Sequence, residues 1–345
     1  MTLAVALAVV LFAGLVAYAV LGGADFGSGV WDLTAGGDRR GAPTRALVDH
    51  AIGPVWEANH VWLIFVLVLL WGGFPSAFTT LMQEAGPPLW FAAFGIALRG
   101  SAFAFRKVSP TLSWARAAGI TFAVSSLVTP FFLGAVAGLV ASGRIGTGRA
   151  GGWAWLNPTS VVGGVLAVAT CTFLAGVFLA AEADALGLDR LRDELRTKSL
   201  IGGVITGLIA LSAIPVLAAD SPTLVDGLTG RGAPVVVASG IAGLATLEAL
   251  RRGRLRAARP LATLAVIAVV SGWGVAQYPW MLVDAVEIDD AAGARSSLVA
   301  LLVASGLGLC LVLPAVAWLL RLADRNDVGY GFPVEPRAER GAGGE

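Results

Sequence analysis

Residues 53 to 62 read GPVWEANHVW, so an acid, an amide and an imidazole, Glu57, Asn59 and His60, stand between Trp56 and Trp62 at the mouth of the apolar run LIFVLVLLWGGFP. On a helix Glu57 and His60, at i and i+3, share a face across which a proton or hydrogen bond can pass. Imidazole titrates near neutral pH, which suits His60 to proton relay and equally to ligating a metal or haem. A lone histidine at a membrane interface more often bonds a neighbour, here Glu57. Another acid, Asp25, stands in LGGADFGSGVWDL, just past the end of the first apolar run. The plain alternative makes Glu57 a favourable acid in a first helical turn and Asp25 part of a Gly-rich turn.

Arg99 sits inside another apolar run, seven residues before Arg106 and so about 10 Å deeper on a helix. Snorkelling to the interface and pairing with a buried acid carry equal weight for it. Glu248 and Arg252, at i and i+4, read as a solvated helix-end ion pair. Glu182 and Asp184, with DRLRDELRTKS after them, read as a solvated turn.

The elements that position these groups follow from composition. The chain has 345 residues, 57% hydrophobic and 14% charged, with a mean hydropathy of +0.79, which places it among integral membrane proteins. A net charge of +1 and the lack of basic runs with interleaved aromatics set nucleic acid aside as a partner. Cys171 and Cys310 lie in apolar runs and read as packing residues. Only two histidines, His50 and His60, and three methionines are present, too few axial ligands for several haems. No P-loop, cysteine cluster or Ser/His/Asp set occurs, and no metal site is expected.

A spanning helix needs about 20 mostly apolar residues. Nine runs qualify, at about 2–23, 56–82, 87–105, 118–140, 159–180, 200–218, 233–250, 261–283 and 297–320. No Lys or Arg precedes the first, which therefore reads as a retained span, not a cleaved signal. Of the 24 Lys and Arg, nineteen fall in alternate connections and the tail, against Arg144, Arg149, Arg231 and Arg295 on the opposite side. That asymmetry predicts the N-terminus outside and the C-terminus in the cytoplasm. The segment RGRLRAARP is an anchor for anionic membrane lipids, and the aromatics of SGWGVAQYPWMLVD fit an outer interfacial belt. Glycine, 45 residues, suits close helix packing in lipid. Such spans also describe a permease, which wants broken helices in paired positions and charges near the midplane.

Together GGADFGSGVWDL, GPVWEANHVWLIFVLVLLWGGFP, LRGSAFAFR and AQYPWML resemble subunit II of the cytochrome bd-type quinol oxidases, closely over about residues 20 to 108 and again at 275 to 282. The resemblance implies a haem-bearing partner, subunit I, which holds the b- and d-type haems and the quinol site and reduces oxygen to water. It implies an all-α fold of nine spans, two four-helix bundles plus a peripheral helix. Here these map to residues 1–140, 141–290 and 291–325, with 326–345 a disordered cytoplasmic tail. Subunit II in the family stabilises the complex and contributes to a proton path from the cytoplasm. At the matching positions Glu57 replaces the usual aspartate of that path and Asp25 matches the second acid of the first-loop motif. His60 joins them as a third titratable group, with Trp56, Asn59, Trp62, Arg99 and Arg106 in support. No cofactor is expected on this chain itself beyond room for a bound quinone, and small accessory subunits fit the family pattern. Gly22 replaces the first acid of the loop motif, His60 replaces Gln or Glu, and Ala104 occupies an often acidic position, which marks a divergent branch.

Overall fold

The computed structural model describes residues 2–52, 56–108, 112–146 and 153–324. Its first element, α1 (Leu3–Thr34), starts where the Thr2 hydroxyl accepts a hydrogen bond from the Val5 amide at 3.1 Å, a capping arrangement that satisfies one of the free donors of the first turn. At 32 residues the helix is about 48 Å long, well beyond the roughly 30 Å of a bilayer core. It does not stop at Gly23, so Asp25 is a helical residue and not part of a Gly-rich turn. The physical reason is close packing. A Cβ on Gly27 would lie 1.8 Å from the Cys171 carbonyl oxygen, and one on Gly29 would lie 2.3 Å from the Ser126 side chain. These glycines let neighbouring backbones approach α1; they are not there to turn the chain.

A short helix α2 (Asp38–Ile52) follows, then α3 (Trp56–Gly73) and α4 (Pro75–Glu84). The run from 56 to 82 is thus not one straight span: the chain bends by 117° between α3 and α4. Pro75 has no amide to donate and occupies the first position of α4, so the preceding helix ends before it. Phe74, fully buried, plugs the bend, and the freed Gly73 carbonyl accepts from the Gly293 amide at 2.8 Å.

Long helices continue with α5 (Gly86–Val108), α6 (Leu112–Ala141), α7 (Pro158–Ala185) and α8 (Asp189–Asp220). After a short α9 (Pro222–Thr229) come α10 (Ala233–Arg251) and α11 (Leu255–Gln277). The eighth apolar run does not stay helical to 283: a small antiparallel hairpin, β1 (Trp280–Leu282) and β2 (Val286–Glu287), pairs Trp280 with Glu287 and Leu282 with Val286. A single turn α12 (Ile288–Ala291) and the final α13 (Arg295–Asp324) complete the chain. Among the described residues, eight helices are long and apolar enough to cross a membrane, or nine if the bent α3–α4 pair is one span.

Helix α1 threads the centre, packing on α3, α6, α7, α11 and α13. Toward its N-terminus it gives Leu7 and Leu11 to one buried apolar cluster, with Phe74, Leu139 and Ile145. Toward its C-terminus Val20 and Trp31 join another, with Phe122, Leu174, Leu195 and Leu250. Large apolar side chains such as Ile201, Leu208, Leu211, Ile241 and Leu244 are exposed on α8 and α10, the surface a hydrocarbon solvent requires.

Candidate functional site

Where α1, α3, α5 and α6 meet, the apolar interior is interrupted by charge. Asp25 on α1 and Arg99 on α5 are 4% and 3% exposed, and Arg99 Nη2 donates to Asp25 Oδ1 at 2.7 Å. The same nitrogen donates to the Asp25 carbonyl at 2.8 Å, and Arg99 Nε donates to Ser126 Oγ on α6 at 3.1 Å. Ser126 in turn donates to the Phe122 carbonyl at 2.6 Å. The guanidinium carbon lies 4.4 Å from the Phe122 ring centroid and 5.1 Å from that of Phe26, so aromatic faces replace the water it has lost. Of the two fates open to Arg99, the structure selects pairing with a buried acid. The fork of the guanidinium explains why arginine suits this position, since it serves two helices at once.

Asn59, 4% exposed on the first turns of α3, faces the Asp25 carboxylate. Asp25 Oδ2 nevertheless has no well-formed hydrogen bond among the described residues. His60 is half-buried, its ring centroid 6.2 Å from that of Tyr18 and 6.0 Å from that of Phe26. Asp25, Asn59, His60 and Arg99 are therefore brought together. Trp62 is not part of the cluster and stacks edge-on against Phe65 of its own helix, 6.3 Å between centroids. The side chains of Trp56, Glu57 and Arg106 lie outside the described residues, and the shared face of Glu57 and His60 with them.

Sequence reading overlooked Tyr18, Phe26, Phe122 and Ser126. Tyr18 was accessible to it, standing seven residues before Asp25 and thus on the same face of a continuous α1; the assumed break at Gly23 hid that. Nothing in the spacing of Phe122 and Ser126 points to Arg99.

Other charged groups tie elements together or pair along one helix. Asp32 meets Arg45 at 3.0 Å and His50 meets Glu182 at 3.6 Å, joining α2 to α1 and to α7. Asp184 reaches Arg192 at 3.6 Å. Glu248 holds both Arg251 and Arg252, at 2.6 and 2.5 Å, one pair more than the i to i+4 spacing predicts. Among the described residues no group of three or more His, Cys, Asp or Glu could hold a metal ion.

The family model described as cytochrome bd terminal oxidase subunit II matches residues 3–323. The chain belongs to that family. It is also similar to the cytochrome bd ubiquinol oxidase subunit 2 of Bacillus subtilis (strain 168), 31% identical over 128 residues, a stretch covering 37% of this chain and 36% of that relative's length. In fold it is similar to a chain of the bd oxidase from Geobacillus thermodenitrificans. The TM-score is 0.75 at 25% identity, over 93% of this chain and 98% of the other. This subunit II family member is accordingly a multi-pass, predominantly helical membrane protein, and the Asp25–Arg99 pair joins two of its candidate spanning helices.

Proposed function

We propose that this chain is the haem-free second subunit of a bd-type terminal oxidase, which oxidises quinol and reduces oxygen to water. In that role it stabilises the haem-bearing subunit I, and Glu57, His60 and Asp25 contribute a proton path from the cytoplasm. The family match over residues 3–323 supports the assembly. The observation that supports the proton path is the meeting of buried Asp25 and Asn59 with half-buried His60 near the N-terminal end of α3. A carboxylate buried in the membrane is costly and needs a reason to be there; a carboxyl that can gain and lose a proton supplies one.

The test is Glu57→Gln in the assembled complex. Oxygen consumption should fall while subunit content and the reduced-minus-oxidised haem spectrum stay as in the wild type. Unchanged oxygen consumption would sink the proton path and leave only the anchoring role.

A second, purely structural reading is favoured by one specific observation: the Asp25–Arg99 pair is also what a helix clamp would look like. A clamp fails by losing assembly, a proton path by losing rate, and the same measurements separate the two. The permease reading wants paired broken helices, and one bent pair, α3–α4, occurs among the described residues.

A further inference from the structure

Gly22 has no side chain, and the Tyr18 ring lies over it: a Cβ there would stand 3.0 Å from Tyr18 Cε2 and 3.4 Å from Cζ. The phenol is thereby laid along α1 toward Asp25, within electrostatic reach of both Asp25 and Arg99. Tyr18 is 5% exposed, yet its hydroxyl has no hydrogen-bond partner among the described residues. The same holds for Asp25 Oδ2 and His60 Nδ1. Three polar atoms on two helices are thus left unpaired around the Phe26 ring, which lies 6.3 Å from the Tyr18 ring and 6.0 Å from that of His60. Buried groups of this kind are normally satisfied, and leaving one unpaired is costly. A buried water typically makes about three hydrogen bonds to such groups.

We propose that Tyr18, Asp25 and His60 form a hydrated site in which the Tyr18 hydroxyl passes protons to Asp25. This rests on the proton-path reading above and adds a residue to it. Arg99 holds Oδ1 of Asp25, so Oδ2 is the oxygen left to take a proton. A proton arriving on the His60 side passes to the water, the water gives one to the Tyr18 oxygen as Tyr18 gives its own to a second water, and that water gives one of its protons to Asp25 Oδ2. The phenol ends neutral, with its O–H turned toward the water, and rotates back before the next transfer. Tyr18 acts here as a relay and a positioning group for the water.

Tyr18→Phe removes one oxygen and keeps the ring that covers Gly22. It is compared with the wild type and Glu57→Gln in the assembled complex, at equal haem content, in H2O and D2O. The expected result is a roughly two- to tenfold loss of turnover, the worth of one hydrogen bond, with a larger solvent isotope effect and an unchanged haem spectrum. Wild-type rates for Tyr18→Phe beside slow Glu57→Gln would overturn the role of Tyr18 and spare the proton path. Wild-type rates for both would overturn both. A high-resolution map of the wild-type complex decides the matter without a variant: water density within hydrogen-bond distance of the Tyr18 hydroxyl supports the site, and a protein or lipid group bonded directly to that hydroxyl overturns it.

Discussion

Arg99 is held by three acceptors and two aromatic faces, and its removal would strand the Asp25 carboxylate in the interior of the protein. Breaking a buried pair by deleting one partner costs about 3–5 kcal/mol, whereas replacing both partners by apolar groups is often nearly neutral. Arg99→Met should therefore lower the thermal midpoint of the purified complex more than the double variant Asp25→Leu with Arg99→Met. Arg99→Lys should fall between, because an ammonium keeps the charge but lacks the fork that reaches both Asp25 and Ser126. Thermal unfolding of the three variants in one detergent checks the order; a double variant that melts at or below Arg99→Met would mean that the pair is not an isolated clamp. This pair was half legible in the sequence. A charge inside an apolar run announces that Arg99 needs a partner, whereas Asp25 reads as lying just past the first run, and their being each other's partner depends on the Arg99 side chain reaching from α5 to α1. No spacing within one segment records that.

Glycine was the residue type whose meaning the sequence hid most. GGADFGSG reads locally as a turn, yet α1 runs through it because Gly27 meets the Cys171 carbonyl and Gly29 the Ser126 side chain at close helix crossings. A glycine in a turn and a glycine at a helix crossing have the same letter and differ only in what stands opposite. The contrast can be measured by substitution. Gly27→Ala places a methyl against the Cys171 carbonyl, a contact that forces α1 and α7 apart, and overpacking of that sort costs about 1–3 kcal/mol or more. Gly202, in α8, has nothing within 4 Å of the same added atom; there alanine should be neutral or stabilise the helix by up to about 1 kcal/mol. Heating the solubilised complex and following the surviving assembled fraction by size exclusion should show Gly27→Ala failing at lower temperature and Gly202→Ala at an equal or higher one. The bend at Phe74–Pro75, by contrast, was written in the sequence. Read through hydropathy alone, the apolar run continued past it, because hydropathy does not register the missing proline amide.

At the scale of the whole molecule, hydropathy and arginine counts anticipated the membrane class and the number of spans, since both reflect a solvent that tolerates neither open backbone nor unpaired charge. Orientation follows from the same counts as an expectation of its own. The α7–α8 turn, with Arg190 and Arg192, and the α10–α11 turn, with Arg251, Arg252 and Arg254, should face the cytoplasm. The α9–α10 turn around Thr229 should face outward. Both Arg190 and Thr229 are exposed, so single cysteines there report on sidedness without disturbing the interior. Thr229→Cys should react with a membrane-impermeant maleimide in intact cells, and Arg190→Cys only after permeabilisation. The result bears on more than topology. Asp25, Asn59 and His60 lie nearer the Thr34 end of α1 and the Trp56 end of α3, which the charge count assigns to the cytoplasm. If labelling shows the reverse, a proton reaching Asp25 by the short route would come from the outer face, and proton uptake through this chain would no longer draw on the cytoplasm.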